Sequence, residues 1–254
     1  MKGLKQRLKK GEMLIGTFLS LGNAFTTEIV ANAGFDWVMI DLEHGIGSEA
    51  DVLHQLQGID RTQIAAIVRV EGFQRQRVHR VLDFGADGIM CPRIEDAVQA
   101  ELAVKAMYYP PKGVRGLAKM VPASNYGKDF DQYLREAAED LLCVIQIETL
   151  AALNHLDAIA RLSDVDVLFI GPSDLSMALG IFGQLDHPLF VKAVHAIIDA
   201  AMRANKHVGI LLLNLDDLEK YYDLGVRFFA YGTDAFFLSM GAKQAVEALH
   251  RKRL

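Results

Sequence analysis

Residues 141–180 read LLCVIQIETLAALNHLDAIARLSDVDVLFIGPSDLSMALG, and their patterning decides the architecture. Two short apolar runs each lead into a carboxylate: LLCVIQIE ends on Glu148, and VDVLFIGPSD ends on Asp174. Between them Leu150, Leu153, Leu156, Ile159 and Leu162 recur at helical spacing. A strand–helix–strand unit of this kind builds a parallel sheet. Loops at the carboxyl ends of parallel strands converge on one face, so chemistry gathers there. Two acids emerging on that face from neighbouring strands can share a hard cation.

The pattern extends outward in both directions. NAGFDWVMIDLEHG, DFGADGIMCPR and DLGVRFFAYGTD each show a helix ending on glycine, two residues, and then a buried strand. Gly34, Gly85 and Gly225 suit the left-handed position that closes a helix. Near-continuous apolar strands indicate a sheet covered on both faces. Strands are expected at about 13–19, 36–41, 64–69, 87–91, 141–147, 166–170, 208–213 and 227–231. Helices are expected at about 24–33, 48–58, 74–84, 95–106, 150–162, 187–205, 215–223 and 234–250. Eight alternating pairs in this length match a (β/α)8 barrel, with an open doubly wound sheet as the alternative. One connection is long, MYYPPKGVRGLAKMVPASNYGKDFDQYLREAAED; Pro and Gly should break any helix in it. Insertions of that length on barrels serve as lids or subunit contacts.

Composition narrows the function classes. The 254 residues, 51% apolar and 23% charged, are expected to form one domain over 1–254. A net charge of −5 argues against a general nucleic-acid binder. No apolar run reaches the ~18 residues of a membrane span. The start, MKGLKQRLKKGE, lacks the apolar stretch of a secretory signal and reads as a short amphipathic helix carrying Leu4 and Leu8. Cys91 and Cys143 lie in strand-like runs and are expected as buried, reduced thiols of a cytoplasmic protein.

The strand ends supply the candidate chemistry. Asp41 closes strand two, and His44 follows in the loop as a candidate general base. Arg69 ends strand three after five apolar residues; it is either a clamp for an anionic oxygen or an ion-pair partner for an acid from the next strand. Asp83 reads as a surface acid, and Arg93 follows strand four without a spacing that assigns it a role. Gln146 shares a strand face with Glu148. Asp174 follows Gly171-Pro172-Ser173, a turn able to begin a helix. Glu148 and Asp174, without His or Cys beside them, suit Mg²⁺ or Mn²⁺; a salt bridge for Glu148 and a helix cap for Asp174 are the structural alternatives. A cation so held would chelate a 2-oxo acid and polarise its ketone. No Lys lies at an expected strand end, which argues against a Schiff base.

DLEHG, LDFGADGIMCPRIEDA, YYPPKGVRG, QIETLAALNHLDAIA and GPSDLSMALG resemble, in order and over Gly16 to about Lys243, the HpcH/HpaI family of metal-dependent pyruvate aldolases. The resemblance implies a barrel of the phosphoenolpyruvate/pyruvate type, its last helix exchanged between subunits of a homo-oligomer, commonly a hexamer or another trimer-based assembly. It implies reversible cleavage of a 4-hydroxy-2-oxo acid to pyruvate and an aldehyde through a metal-bound enolate, with Mg²⁺, Mn²⁺ or Co²⁺. By resemblance His44 is the base, Arg69 steadies the enolate, and Asp83 raises the basicity of the His. Glu148 and Asp174 are the metal ligands, and Gln146, Ser173 and Asp174 touch substrate. Departures occur at VEGFQRQRV after Arg69, at Phe18 where many members carry Trp, at LLLNLDD after strand seven, and at GLAKMVPASNYG, a region that in the family lines the aldehyde side. The expected role is in aromatic or sugar-acid breakdown. Two other readings stand beside it: a lyase of malyl- or citramalyl-type CoA thioesters, and a barrel that binds a 2-oxo acid without turnover.

Overall fold

The computed structural model describes residues 3–252 and every side chain within them except that of Ala138. Met1, Lys2, Arg253 and Leu254 of the expected 1–254 unit lie outside the described residues. The order is α1 (Leu4–Lys9), β1 (Leu14–Leu19), α2 (Ala24–Ala31), β2 (Trp37–Asp41), α3 (Glu49–Gly58), β3 (Ala65–Arg69), α4 (Arg75–Asp83), β4 (Gly88–Cys91) and α5 (Ala97–Met107). It continues with α6 (Phe130–Asp140), β5 (Leu142–Ile147), α7 (Leu150–Asn154), α8 (Leu156–Ala160), β6 (Val167–Ile170) and α9 (Pro172–Ala178). Then follow α10 (Pro188–Arg203), β7 (His207–Leu212), α11 (Leu218–Asp223), β8 (Phe228–Thr233) and α12 (Asp234–Arg251).

Each strand pairs in parallel with the next, and β8 pairs with β1, so the sheet closes and the open-sheet alternative falls. The barrel interior is packed with aromatic rings. Trp37 stacks on Phe228 at 4.0 Å between centroids, and Phe169 meets Phe228 edge-on at 6.4 Å. Gly16 makes room for that stack, because a Cβ there would lie 2.2 Å from the Trp37 ring. The expected amphipathic helix is α1, and its Leu4 and Leu8 are buried against this interior cluster. A second apolar layer lies between the strands and the surrounding helices. Both cysteines are free and buried in β4 and β5, and burial pushes the Cys91 thiol up to about 12. Among the described residues no helix is long and apolar enough to cross a membrane.

The structure corrects three expectations. The helix at 150–162 is two helices, α7 and α8, broken at His155, whose ring Nδ1 lies 3.0 Å from both the Ala151 and Glu95 carbonyls. The long connection does contain a helix: α6 forms beyond Gly127, the last breaker, where DFDQYLREAAED has neither Gly nor Pro. That connection also leaves from the end of α5 and returns at the start of β5, which places both its ends at the face opposite the strands' carboxyl ends. There Arg115 bonds Asp83, and the short turn of 3-10 helix at Pro122–Ser124 packs on α4 and α6. Within one chain it is therefore not a lid over the mouth, because a segment following a descending helix starts at the barrel's far end.

Candidate active site

Strand register brings the first pair together. Asp41 and Arg69 are direct partners across β2 and β3. The Arg69 guanidinium donates from Nε to Asp41 Oδ1 at 2.9 Å and from Nη2 to Asp41 Oδ2 at 2.7 Å. This two-pronged pairing satisfies one edge of a guanidinium that is only 5% exposed. Burial alone would depress its pKa; the bonds and charge of Asp41, with Glu43 and Glu148, more than offset that and hold Arg69 charged. The ion pair and the clamp are thus not alternatives. Nη1 stays turned toward the mouth, 3.4 Å from Gln146 Oε1 and 3.1 Å from Glu43 Oε2. The Phe18 ring lies 5.3 Å from the Arg69 Cζ.

Asp41 also builds the loop that carries His44. Its Oδ1 accepts the N–H of Glu43 at 3.0 Å and of His44 at 3.3 Å. Gly45 lets the chain fold back at once, because a Cβ there would sit 2.1 Å from the Asp41 carbonyl oxygen. The loop is braced by the neighbouring one, the Ile46 N–H donating to the Ser20 carbonyl. Asp234, 4% exposed at the start of α12, accepts from the Ser20 and Leu21 N–H groups and the Ser20 hydroxyl. His44 itself reaches outward, its side chain 65% exposed and its Nε2 3.9 Å from Glu43 Oε2.

Glu148 lies just past β5 and is 3% exposed. Its Oε1 accepts the Arg93 N–H at 2.8 Å, and Gln146 Nε2 donates to its Oε2. Arg93 contributes its main chain: a φ of 52° turns its N–H onto the carboxylate. Burial pushes the Glu148 carboxyl up to about 7; the Arg93 N–H opposes this, and the charges of Glu43 and Asp174 add to it. Burial likewise raises Glu43, against the pull of Arg69 and His44. Asp174 stands in the first turn of α9, with Pro172 at the first helical position and Ser173 half-buried before it. Asp174 is exposed, yet close enough for its charge to act on both Glu148 and Glu43.

His44, Arg69, Gln146, Glu148, Ser173 and Asp174 therefore all lie at the carboxyl ends of β2, β3, β5 and β6 or just beyond. Asp83 does not join them. It is the last residue of α4, at the far end of the barrel, where Arg115 Nη2 donates to it at 2.7 Å and to the Tyr133 hydroxyl at 2.8 Å. A helix that starts at the mouth ends away from it, so no contact joins Asp83 to His44 within the described chain. Sequence reasoning left Asp41 and Glu43 without roles. The signal for Asp41 was an acid and a base ending adjacent strands; nothing in the sequence marked Glu43.

A divalent cation fits this donor set. The carboxylates are hard oxygen ligands, and burial with the charges of Glu43 and Asp174 outweighs the pull of Arg69 and the Arg93 N–H on Glu148. Gly171 leaves a cradle beside it, since a Cβ there would lie 2.8 Å from both Glu148 Oε2 and Gln146 Nε2. Among the described residues no group of three or more His, Cys, Asp or Glu is arranged to hold a metal. Two carboxylates with the other positions left to water and substrate is the manner of Mg²⁺.

Known proteins resemble this chain over nearly its whole length. The sequence profile of the HpcH/HpaI aldolase/citrate lyase family matches residues 14–240. A hydroxypyruvate/pyruvate aldolase of Pseudomonas aeruginosa is 36% identical over 94% of this chain and 90% of its own. A 4-hydroxy-2-oxo-heptane-1,7-dioate aldolase of Salmonella arizonae is 36% identical over 94% of this chain and 91% of its own. The crystal structure of an aldolase/citrate lyase family protein from Burkholderia cenocepacia superposes with a TM-score of 0.93 at 34% identity, covering 98% of this chain and all of the other. With the profile spanning the whole barrel, this chain belongs to the HpcH/HpaI aldolase/citrate lyase family.

Proposed function

We propose that this protein is a divalent-metal-dependent aldolase that reversibly cleaves a 4-hydroxy-2-oxo acid to pyruvate and an aldehyde. The observation that carries the reading is the chain of contacts at the barrel mouth that joins Arg69 Nη1 to Gln146 and Gln146 to the buried Glu148. Glu148 and Asp174 would hold Mg²⁺, Mn²⁺ or Co²⁺, which supplies Lewis-acid polarisation of the substrate ketone. Arg69, locked by Asp41 along one edge, presents Nη1 to the oxygen on which negative charge grows as the C–C bond breaks. His44, at the rim, moves the proton between the 4-hydroxyl and solvent. Ser173 and Gln146 line the side where the 2-oxo acid sits.

The protein assembles with copies of itself in this reading. From Leu238 to the end of α12 every described residue is exposed, including Leu238, Met240, Val246 and Leu249. An 18-residue helix whose apolar residues find no cover in its own chain suits exchange with a second copy.

The test is pyruvate release from a 4-hydroxy-2-oxo acid. EDTA should abolish it and added Mg²⁺, Mn²⁺ or Co²⁺ should restore it, while borohydride with pyruvate should leave the protein unlabelled. Full activity in chelator, or covalent trapping, would overturn the mechanism.

A further inference from the structure

Glu43 stands between two groups that the reaction needs. Its Oε2 lies 3.1 Å from Arg69 Nη1 and 3.9 Å from His44 Nε2. The other edge of Arg69 is fixed by Asp41 through two aligned hydrogen bonds, so Asp41 alone suffices to place the guanidinium. The Glu43 contact is of a different kind. It is an ion pair, whereas the hydrogen bond from Nη1 goes to Gln146 Oε1. Glu43 sits on the loop beyond β2, its side chain 14% exposed, and reaches back to Arg69 at the mouth. A carboxylate that only neutralises an N–H, from a loop, at the place where an anionic oxygen must arrive, is placed to yield.

We propose that Glu43 is a displaceable counter-ion of Arg69. Without substrate it balances the charge at Nη1; the oxygen of an incoming 2-oxo acid takes its place and leaves Glu43 facing His44. Glu43 is thus a positioning residue, acting through Arg69 and His44. This rests on the aldolase reading above. It has a consequence that a merely structural role would not share. Glu43→Gln keeps the size and removes the charge, so the substrate no longer competes with a carboxylate and binds more tightly. If Glu43 instead held Arg69 in place, the same change would loosen the clamp and weaken binding.

The experiment is calorimetric titration of the Mg²⁺-loaded protein with oxalate, a two-oxygen mimic of the pyruvate enolate, alongside turnover. Glu43→Gln should tighten oxalate about 2- to 5-fold, the effect of removing one partly exposed competing ion pair. KM for the 4-hydroxy-2-oxo acid should fall with it, while kcat falls because His44 loses the charge facing it. Glu43→Ser, which removes both charge and reach, should show the same tightening should the Gln variant fold poorly. Oxalate binding unchanged or weaker in a variant that melts like the parent overturns the proposal. No oxalate binding by the unsubstituted protein overturns the aldolase reading beneath it.

Discussion

Glu148 shows how burial sets the working state of a single residue. With its carboxyl pushed up to about 7 from an ordinary 4.5, the cation-free folded protein holds a proton that the unfolded chain has lost. Folded stability of the cation-free protein therefore falls as pH rises from about 4.5 through 7, because the folded state binds more protons over that window. A dication reverses the balance, since it needs the ionised form. Apparent Mn²⁺ affinity, followed by calorimetry, should weaken up to about tenfold per pH unit below 7 and level off above it. An affinity flat from pH 5 to 8 would show that Glu148 is not a ligand. Arg69 teaches the complementary lesson. From sequence it read as either a clamp or an ion-pair partner; register puts Asp41 directly opposite, and a guanidinium has edges enough for both.

At the scale of elements, the β2–α3 loop is held by the Asp41 carboxylate, by the Ile46 bond to the neighbouring loop and by a close backbone approach at Gly45. The position a Cβ of residue 45 would take is filled by the Asp41 carbonyl oxygen. Gly45→Ala should displace His44 and cut turnover by about 10-fold or more, with the melting temperature little changed, because the loop lies outside the packed core. Turnover equal to the parent would mean that the loop adapts freely. All eight strands were legible to within a residue or two, because strands buried on both faces write themselves as apolar runs. The break at His155 and the helix α6 were not. The first depends on a side chain reaching the distant Glu95 carbonyl, and the second was hidden behind breakers that lie only upstream of it. Within one chain Asp83 lies at the opposite end of the barrel from His44, which its motif did not reveal, because adjacency in a motif says nothing about which end of the barrel a residue reaches.

Across the molecule, polar chemistry occupies one end of the barrel and apolar closure the other. Leu4 and Leu8 of α1 seal the far end, and the rings of Trp37, Phe169 and Phe228 fill the middle. Asp41, Arg69, Gln146 and Glu148 can then stay buried under the mouth, paired with one another rather than with water. What one chain does not complete is its surface, since α12 leaves its apolar residues uncovered. Val246→Asp with Leu249→Asp should shift the protein to smaller species in analytical ultracentrifugation, with the barrel's circular dichroism unchanged. An unaltered sedimentation profile would remove α12 from the assembly.

Whether Glu148 and Asp174 grip a dication at the barrel mouth can be read by anomalous diffraction from crystals grown with Mn²⁺. One strong peak is expected within about 2.0–2.6 Å of carboxylate oxygens from both residues, the range of hard cations on oxygen. A peak elsewhere, or one touching neither carboxylate, would leave the proposed metal chemistry without its ligands.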